Sequence, residues 1–117
     1  MAATIESVTI DCLDSQLVAD FWMGALGYEV ADRHGDWILL RNPTGVGPDL
    51  AIDPVPESKV VKNRVHLDLR PAETMEAEVA RLEQLGARKI RVVRNEPDEM
   101  HTVMADPEGN EFCVIRR

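Results

Sequence analysis

The feature that most constrains this chain is an internal repeat. Shifting the sequence by 59 positions lays Gly27 on Gly86, Leu26 on Leu85 and Ser7 on His66, and lays Val8 and Ile10 on Leu67 and Leu69. Side chains alternate faces along a strand, so a shift that preserves parity preserves which residues share a face. Two proline turns, Asn42-Pro43-Thr44-Gly45 and Asp106-Pro107-Glu108-Gly109, match each other as well. Self-similarity over such a distance means that one supersecondary unit occurs twice, and it outranks residue-by-residue propensity.

The unit can be read from its hydrophobic pattern. Ile5–Cys12 alternates Val8, Ile10 and Cys12 with Ser7, Thr9 and Asp11, which predicts a half-buried strand. Asp14 or Ser15 offers an N-cap for a helix whose apolar positions are Leu17, Val18, Phe21, Trp22, Ala25 and Leu26, stopped by Gly27. Strands follow at Tyr28–Arg33, Trp37–Arg41 and Leu50–Val55. The pattern restarts with a strand at Val65–Arg70 and a helix over Ala72–Leu85, its buried stripe being Met75, Val79, Leu82 and Leu85. Arg88–Val93, Thr102–Ala105 and Glu111–Ile115 complete it. The expected fold is α+β, with two tandem βαβββ modules (about 4–56 and 64–116) in a single domain spanning 1–117. The modules are expected to form a curved mixed sheet around a central cleft, helices on the outer face. After the proline turns the first half is read as four residues longer, which pairs Asp53 with Cys113 in parity.

Each helix must cover one sheet face, which leaves Ser7, Thr9, Asp11, Asp53, His66, Asp68 and Cys113 on the other. A face so mixed in polarity suits a small-molecule cleft better than a second core. Composition narrows the partners. A net charge of −8 excludes a nucleic-acid surface, because phosphate contacts need clustered Lys and Arg, and Lys59, Lys62 and Arg64 form only a short polar linker. No apolar run approaches the ~20 residues of a membrane-spanning helix, and MAATIES lacks the basic and apolar regions of a secretory signal. With only Cys12 and Cys113 present, a reducing, cytoplasmic setting is expected.

Among the cleft residues His66 is a candidate ligand or general base, the two roles to which an imidazole is suited. Asp53, in the apolar run LAIDPV, is a carboxylate that needs a partner if enclosed. Cys113 reads as a small buried strand residue. Trp37 opens a strand and is placed at the pocket mouth, while His34 and His101, in turn or loop contexts, receive no role. No glycine-rich phosphate loop, nucleophile elbow or CxxC motif occurs.

The doubled βαβββ, the LGYEV after the first helix, the VKNRVHLDL segment and the closing DPEGNEF resemble the glyoxalase/bleomycin-resistance family, also called the vicinal oxygen chelate superfamily. More narrowly, they resemble its small glyoxalase-like proteins. The resemblance implies metal-dependent lyases, isomerases, dioxygenases and epimerases, or metal-free drug-binding resistance proteins. Its metal-dependent members take one ligand from each of four strands, at the positions of Ser7, Asp53, His66 and Cys113. Only His66 matches the usual ligand type. A thiol at 113 suits zinc better than a hard cation, so an Asp53/His66/Cys113 set is the metal alternative and no metal or other cofactor is the favoured reading. The expected protein binds a small molecule and acts, if catalytic, as a lyase or isomerase with His66 and Asp53 as the acid/base pair. The alternatives are a metal-dependent lyase or dioxygenase and a non-catalytic sequestering protein. A homodimer is expected, because uncovered strand edges invite pairing.

Overall fold

The computed structural model describes residues 1–116, which divide into two compact units, Met1–Ser58 and Lys59–Arg117. The first contains β1 (Ser7–Cys12), α1 (Ser15–Leu26), β2 (Glu29–His34), β3 (Trp37–Arg41) and β4 (Asp49–Pro54). The second contains β5 (Asp68–Leu69), α2 (Met75–Gln84), β6 (Arg88–Asn95), β7 (Glu99–Ala105) and β8 (Glu111–Ile115). Each unit is therefore βαβββ, and the α+β expectation holds. The strands form two open four-stranded mixed sheets, ordered β1-β4-β3-β2 and β5-β8-β7-β6. The β1–β4 and β5–β8 pairs are parallel and the remaining pairs antiparallel. Among the described residues no helix is long and apolar enough to cross a membrane.

Local chemistry explains the helix limits. The Asp14 carboxylate accepts the Leu17 N–H at 3.1 Å and caps α1, and Gly27 ends it at φ 69°, a left-handed conformation open to glycine at little cost. The Thr74 hydroxyl accepts the Ala77 N–H at 3.1 Å, so α2 starts three residues later than its apolar pattern suggests. Leu17 and Leu85, read as buried, are 46% and 39% exposed. Leu17 lies on the outer flank of α1, and Leu85 is the C-cap residue of α2 rather than part of its inner stripe.

The cores form between each helix and its sheet. In the first unit Val18, Phe21, Trp22, Ile38, Leu40 and Ile52 are essentially inaccessible. In the second the same holds for Leu82, Met104, Phe112 and Val114. Burying each such side chain stabilises by roughly 1.5–3 kcal/mol before entropy is counted.

The strand expected at Val65–Arg70 shrinks to two residues. Asn63 supplies the reason: its side-chain amide donates to the Val65 and Glu111 carbonyls at 2.6 and 3.2 Å and accepts the Glu111 N–H at 3.0 Å. The side chain thus takes over the backbone groups at the start of β8, and the ladder begins only where the Cys113 N–H donates to the Leu67 carbonyl at 2.9 Å.

Register corrects one alignment. Thr9 pairs with Ala51 in the first unit, and Asp68, its equivalent by the repeat, pairs with Cys113 in the second. Ala51 follows Gly45 by six residues and Cys113 follows Gly109 by four, so Ala51, not Asp53, is the counterpart of Cys113. The first half is longer here by two residues rather than four. Parity survives because both numbers are even.

Candidate functional site

The helix-free face of the second sheet is built by strand alternation. On β8, Phe112 and Val114 face the core, which turns Glu111, Cys113 and Ile115 to the other side. Asp68 lies beside Cys113 on β5, and Val103 and His101 lie beside Cys113 and Ile115 on β7. His66, two residues before Asp68 and outside the shortened strand, lies 3.3 Å from it between Nε2 and Oδ1. Ligand atoms of His66, Asp68 and Cys113 all lie within 4.8 Å of one another. The structure thus gathers three of the residues singled out by sequence. The carboxylate at this cluster is Asp68, where the metal alternative had named Asp53.

Electrostatics keep the thiol protonated. Burial pushes the Cys113 thiol above its ordinary value, and the negative charge of Asp68 adds to the effect against smaller opposing pulls from Lys62 and Arg91. Lys62, read as a solvated linker residue, forms an ion pair with Glu111 and holds that carboxyl below its usual range.

A cavity of about 480 Å³ opens beside this cluster, lined by His66, Asp68, Asp98, Glu99, Met100, His101, Ile115 and Arg116. Its lining also includes a second imidazole–carboxylate pair, to which the sequence analysis assigns no role. His101 Nδ1 lies 2.9 Å from both oxygens of Glu99, and Glu99 also accepts the Asn95 amide at 2.7 Å. These bonds, that of His101 foremost, hold the Glu99 carboxyl below its usual range. A signal for His101 was present in the sequence. Aligning the two proline turns, a shift of 64, places His101 on Trp37, which had been put in the pocket.

The other predicted residues belong to the first unit. Ser7, Thr9 and Asp11 alternate as exposed positions on β1, with Asp11 in register with Asp53, which is half-buried on β4. Trp37 opens β3 on that same face, its ring 5.6 Å from that of His34. Arg41 holds Asp49 in a two-pronged pair at 3.0 and 2.8 Å, which lowers the titration of that carboxyl.

A family model described as a glyoxalase-like domain matches residues 7–115. The chain belongs to the glyoxalase-like family. Solved structures of that superfamily share the fold of this glyoxalase-like protein across nearly its whole length. A glyoxalase/bleomycin resistance protein/dioxygenase family enzyme from Burkholderia phytofirmans PsJN has a TM-score of 0.78 at 17% identity, covering 97% of this chain and 98% of its own. A glyoxalase-related enzyme from Fulvimarina pelagi has a TM-score of 0.74 at 17% identity, covering 97% of this chain and 88% of its own. The lactoylglutathione lyase of Agrobacterium tumefaciens has a TM-score of 0.70 at 12% identity, covering 98% and 94%. No curated protein matches the sequence.

Proposed function

We propose that this glyoxalase-like protein binds a small molecule in the cavity of its second unit and acts on it by proton transfer, as a metal-independent lyase or isomerase. The observation that supports this reading is His66, whose imidazole is paired with Asp68 at the edge of a cavity of about 480 Å³. That volume is in the range of small-ligand sites. An imidazole oriented by a carboxylate is the usual acid/base of such chemistry near neutral pH. Asp68 takes the partner role first given to Asp53, because it lies beside His66 and lines the cavity. Met100 and Ile115 supply the apolar part of the lining.

Binding is testable before turnover. Titrating glyceraldehyde, lactaldehyde and hydroxyacetone into labelled protein is expected to shift the backbone amide NMR signals of His66, Asp68 and Ile115. Shifts confined to residues 1–58 would overturn the site.

A second reading is favoured by the 4.8 Å gathering of His66, Asp68 and Cys113. An imidazole, a carboxylate and a thiol form a donor set that fits zinc and not a hard cation. There zinc would supply Lewis-acid polarisation of a carbonyl. Binding zinc would require Cys113 to give up the proton that burial favours in the metal-free protein. Elemental analysis decides between the readings: the first expects well under one metal ion per chain. A full equivalent of zinc that Cys113→Ser removes would establish the second.

A further inference from the structure

We propose that the free edge of β2 in one copy of this chain pairs with the free edge of β6 in a second copy, with Glu29 meeting Arg91 and Asp32 meeting Arg88. The inference is independent of the cavity and its chemistry.

β2 and β6 each end a four-stranded sheet, so one side of each backbone has no strand beside it. Such an edge presents a row of unpaired N–H and C=O groups that can accept another strand. Every residue of β2 is exposed, and β6 exposes Arg88, Lys89, Arg91, Arg94 and Asn95. Among the described residues, no hydrogen bond or ion pair holds the side chains of Glu29, Arg88 or Arg91. Arg41, the residue opposite Glu29 on β3, is engaged by Asp49. Asp32 makes its hydrogen bonds within its own strand, to the Arg33 N–H at 2.8 Å and to His34 at 3.1 Å.

The repeat matches the two edges. A shift of 59 lays Glu29 on Arg88 and Asp32 on Arg91, so equivalent places carry opposite charge. Glu29 and Asp32 stand opposite Arg41 and Leu39, and Arg88 and Arg91 opposite Ala105 and Val103. The partners are two residues apart in both cases, so each pair of charges spans roughly 7 Å along its edge. Leu39 is in register with Ala51, and Val103 with Cys113, which puts all four charges on the helix-free faces of their sheets. Antiparallel pairing with those faces aligned brings Glu29 to Arg91 and Asp32 to Arg88. Opposite charges directly across two strands stabilise the pairing.

Charge on an edge strand commonly keeps sheets apart. Two edges of opposite sign attract instead. Residues 1–58 hold ten acidic and two basic side chains, and residues 59–117 hold eleven of each, so the net charge of −8 lies in the half that carries β2. That field draws the cationic β6 edge of another copy toward it. Each copy offers one edge of each sign, which makes the chain its own partner through a head-to-tail contact.

Sedimentation velocity of the full chain tests this. At low ionic strength the wild type is expected to sediment as more than one chain, and added salt to shift it toward single chains. Arg88→Glu/Arg91→Glu and Glu29→Lys/Asp32→Lys are each expected to sediment as single chains, with circular dichroism unchanged. An equimolar mixture of the two double variants is expected to regain the wild-type mass, because it restores an acidic edge opposite every basic one. A wild type that stays a single chain at every concentration overturns the inference, as does association that either double variant leaves intact. A mixture that stays as single chains overturns the pairing of these two edges with each other. Hydrogen exchange of the wild type needs no variant: the backbone amides of β2 and β6 are expected to slow together as protein concentration rises, and slowing confined to other strands is again the refuting result.

Discussion

Replacing His66 by glutamine is expected to lower turnover by about 10²–10⁴-fold, the usual worth of a positioned acid/base group. Glutamine keeps hydrogen-bonding capacity near Asp68 but does not titrate, so the loss falls on the chemical step and binding changes little. His66 is substantially exposed, with 47% of its side chain accessible, and it belongs to no apolar cluster. The variant should therefore fold with an unchanged thermal midpoint. Steady-state rates on any turned-over probe check the prediction, and a variant within threefold of wild type would remove His66 from the chemistry.

The largest expected loss of stability is at Trp22. This side chain is 1% exposed in α1 and meets Phe21 edge-to-face at 5.2 Å between ring centres. Trp22→Ala deletes a buried indole and leaves a cavity between helix and sheet, at a cost of about 3–5 kcal/mol. Domains are stable by only about 5–15 kcal/mol, so the variant should unfold at much lower denaturant or fail to accumulate. Leu17→Ala, earlier on the same helix but 46% exposed, is the control and should change stability by no more than about 0.5 kcal/mol. Denaturant unfolding of the two variants side by side measures the contrast.

The architecture was legible because its signals are local or periodic. The glycines that end the helices, the limits of β3 and β8, and both proline turns follow from residue type and alternation alone. The turn bonds from Gly45 to Asn42 and from Gly109 to Asp106, 2.8 and 2.9 Å, close as expected. What failed to show depends on contacts distant in sequence. Nothing in the alternation of Val65–Arg70 reveals that Asn63 will occupy the backbone of Glu111, 48 residues away. Leu17 and Leu26 share an apolar pattern with residues that are buried, and only the sheet decides which flank of the helix it covers.

The site was half legible for a related reason. His66, Asp68 and Cys113 stood out because one short segment and one strand place them on a single face. His101 was hidden by a hairpin of unequal length: Leu40 follows Ala31 by nine residues, whereas Met104 follows Ile90 by fourteen. A single shift could not cover both sides of that hairpin, so the histidine fell in what looked like a loop. Its partner Glu99 lies two residues away on the same strand, a spacing that matters only once the strand is known to extend that far.

Each sheet is also irregular at one place. The β2–β3 ladder skips Ala31, between Val30 and Asp32, and the β6–β7 ladder skips Ile90, between Lys89 and Arg91. These bulges stand 59 residues apart, the interval of the sequence repeat. A bulge is a backbone irregularity that families retain, and neither Ala31 nor Ile90 lines the cavity. The coincidence means that both units carry the same irregular strand although their side chains differ. By register Thr9 and Asp68 hold equivalent places in the two units, as do Ala51 and Cys113, and Trp37 and His101. Among the described residues the scaffold is thus common to both units and the cluster belongs to the second, since the first has serine, threonine and alanine in those places.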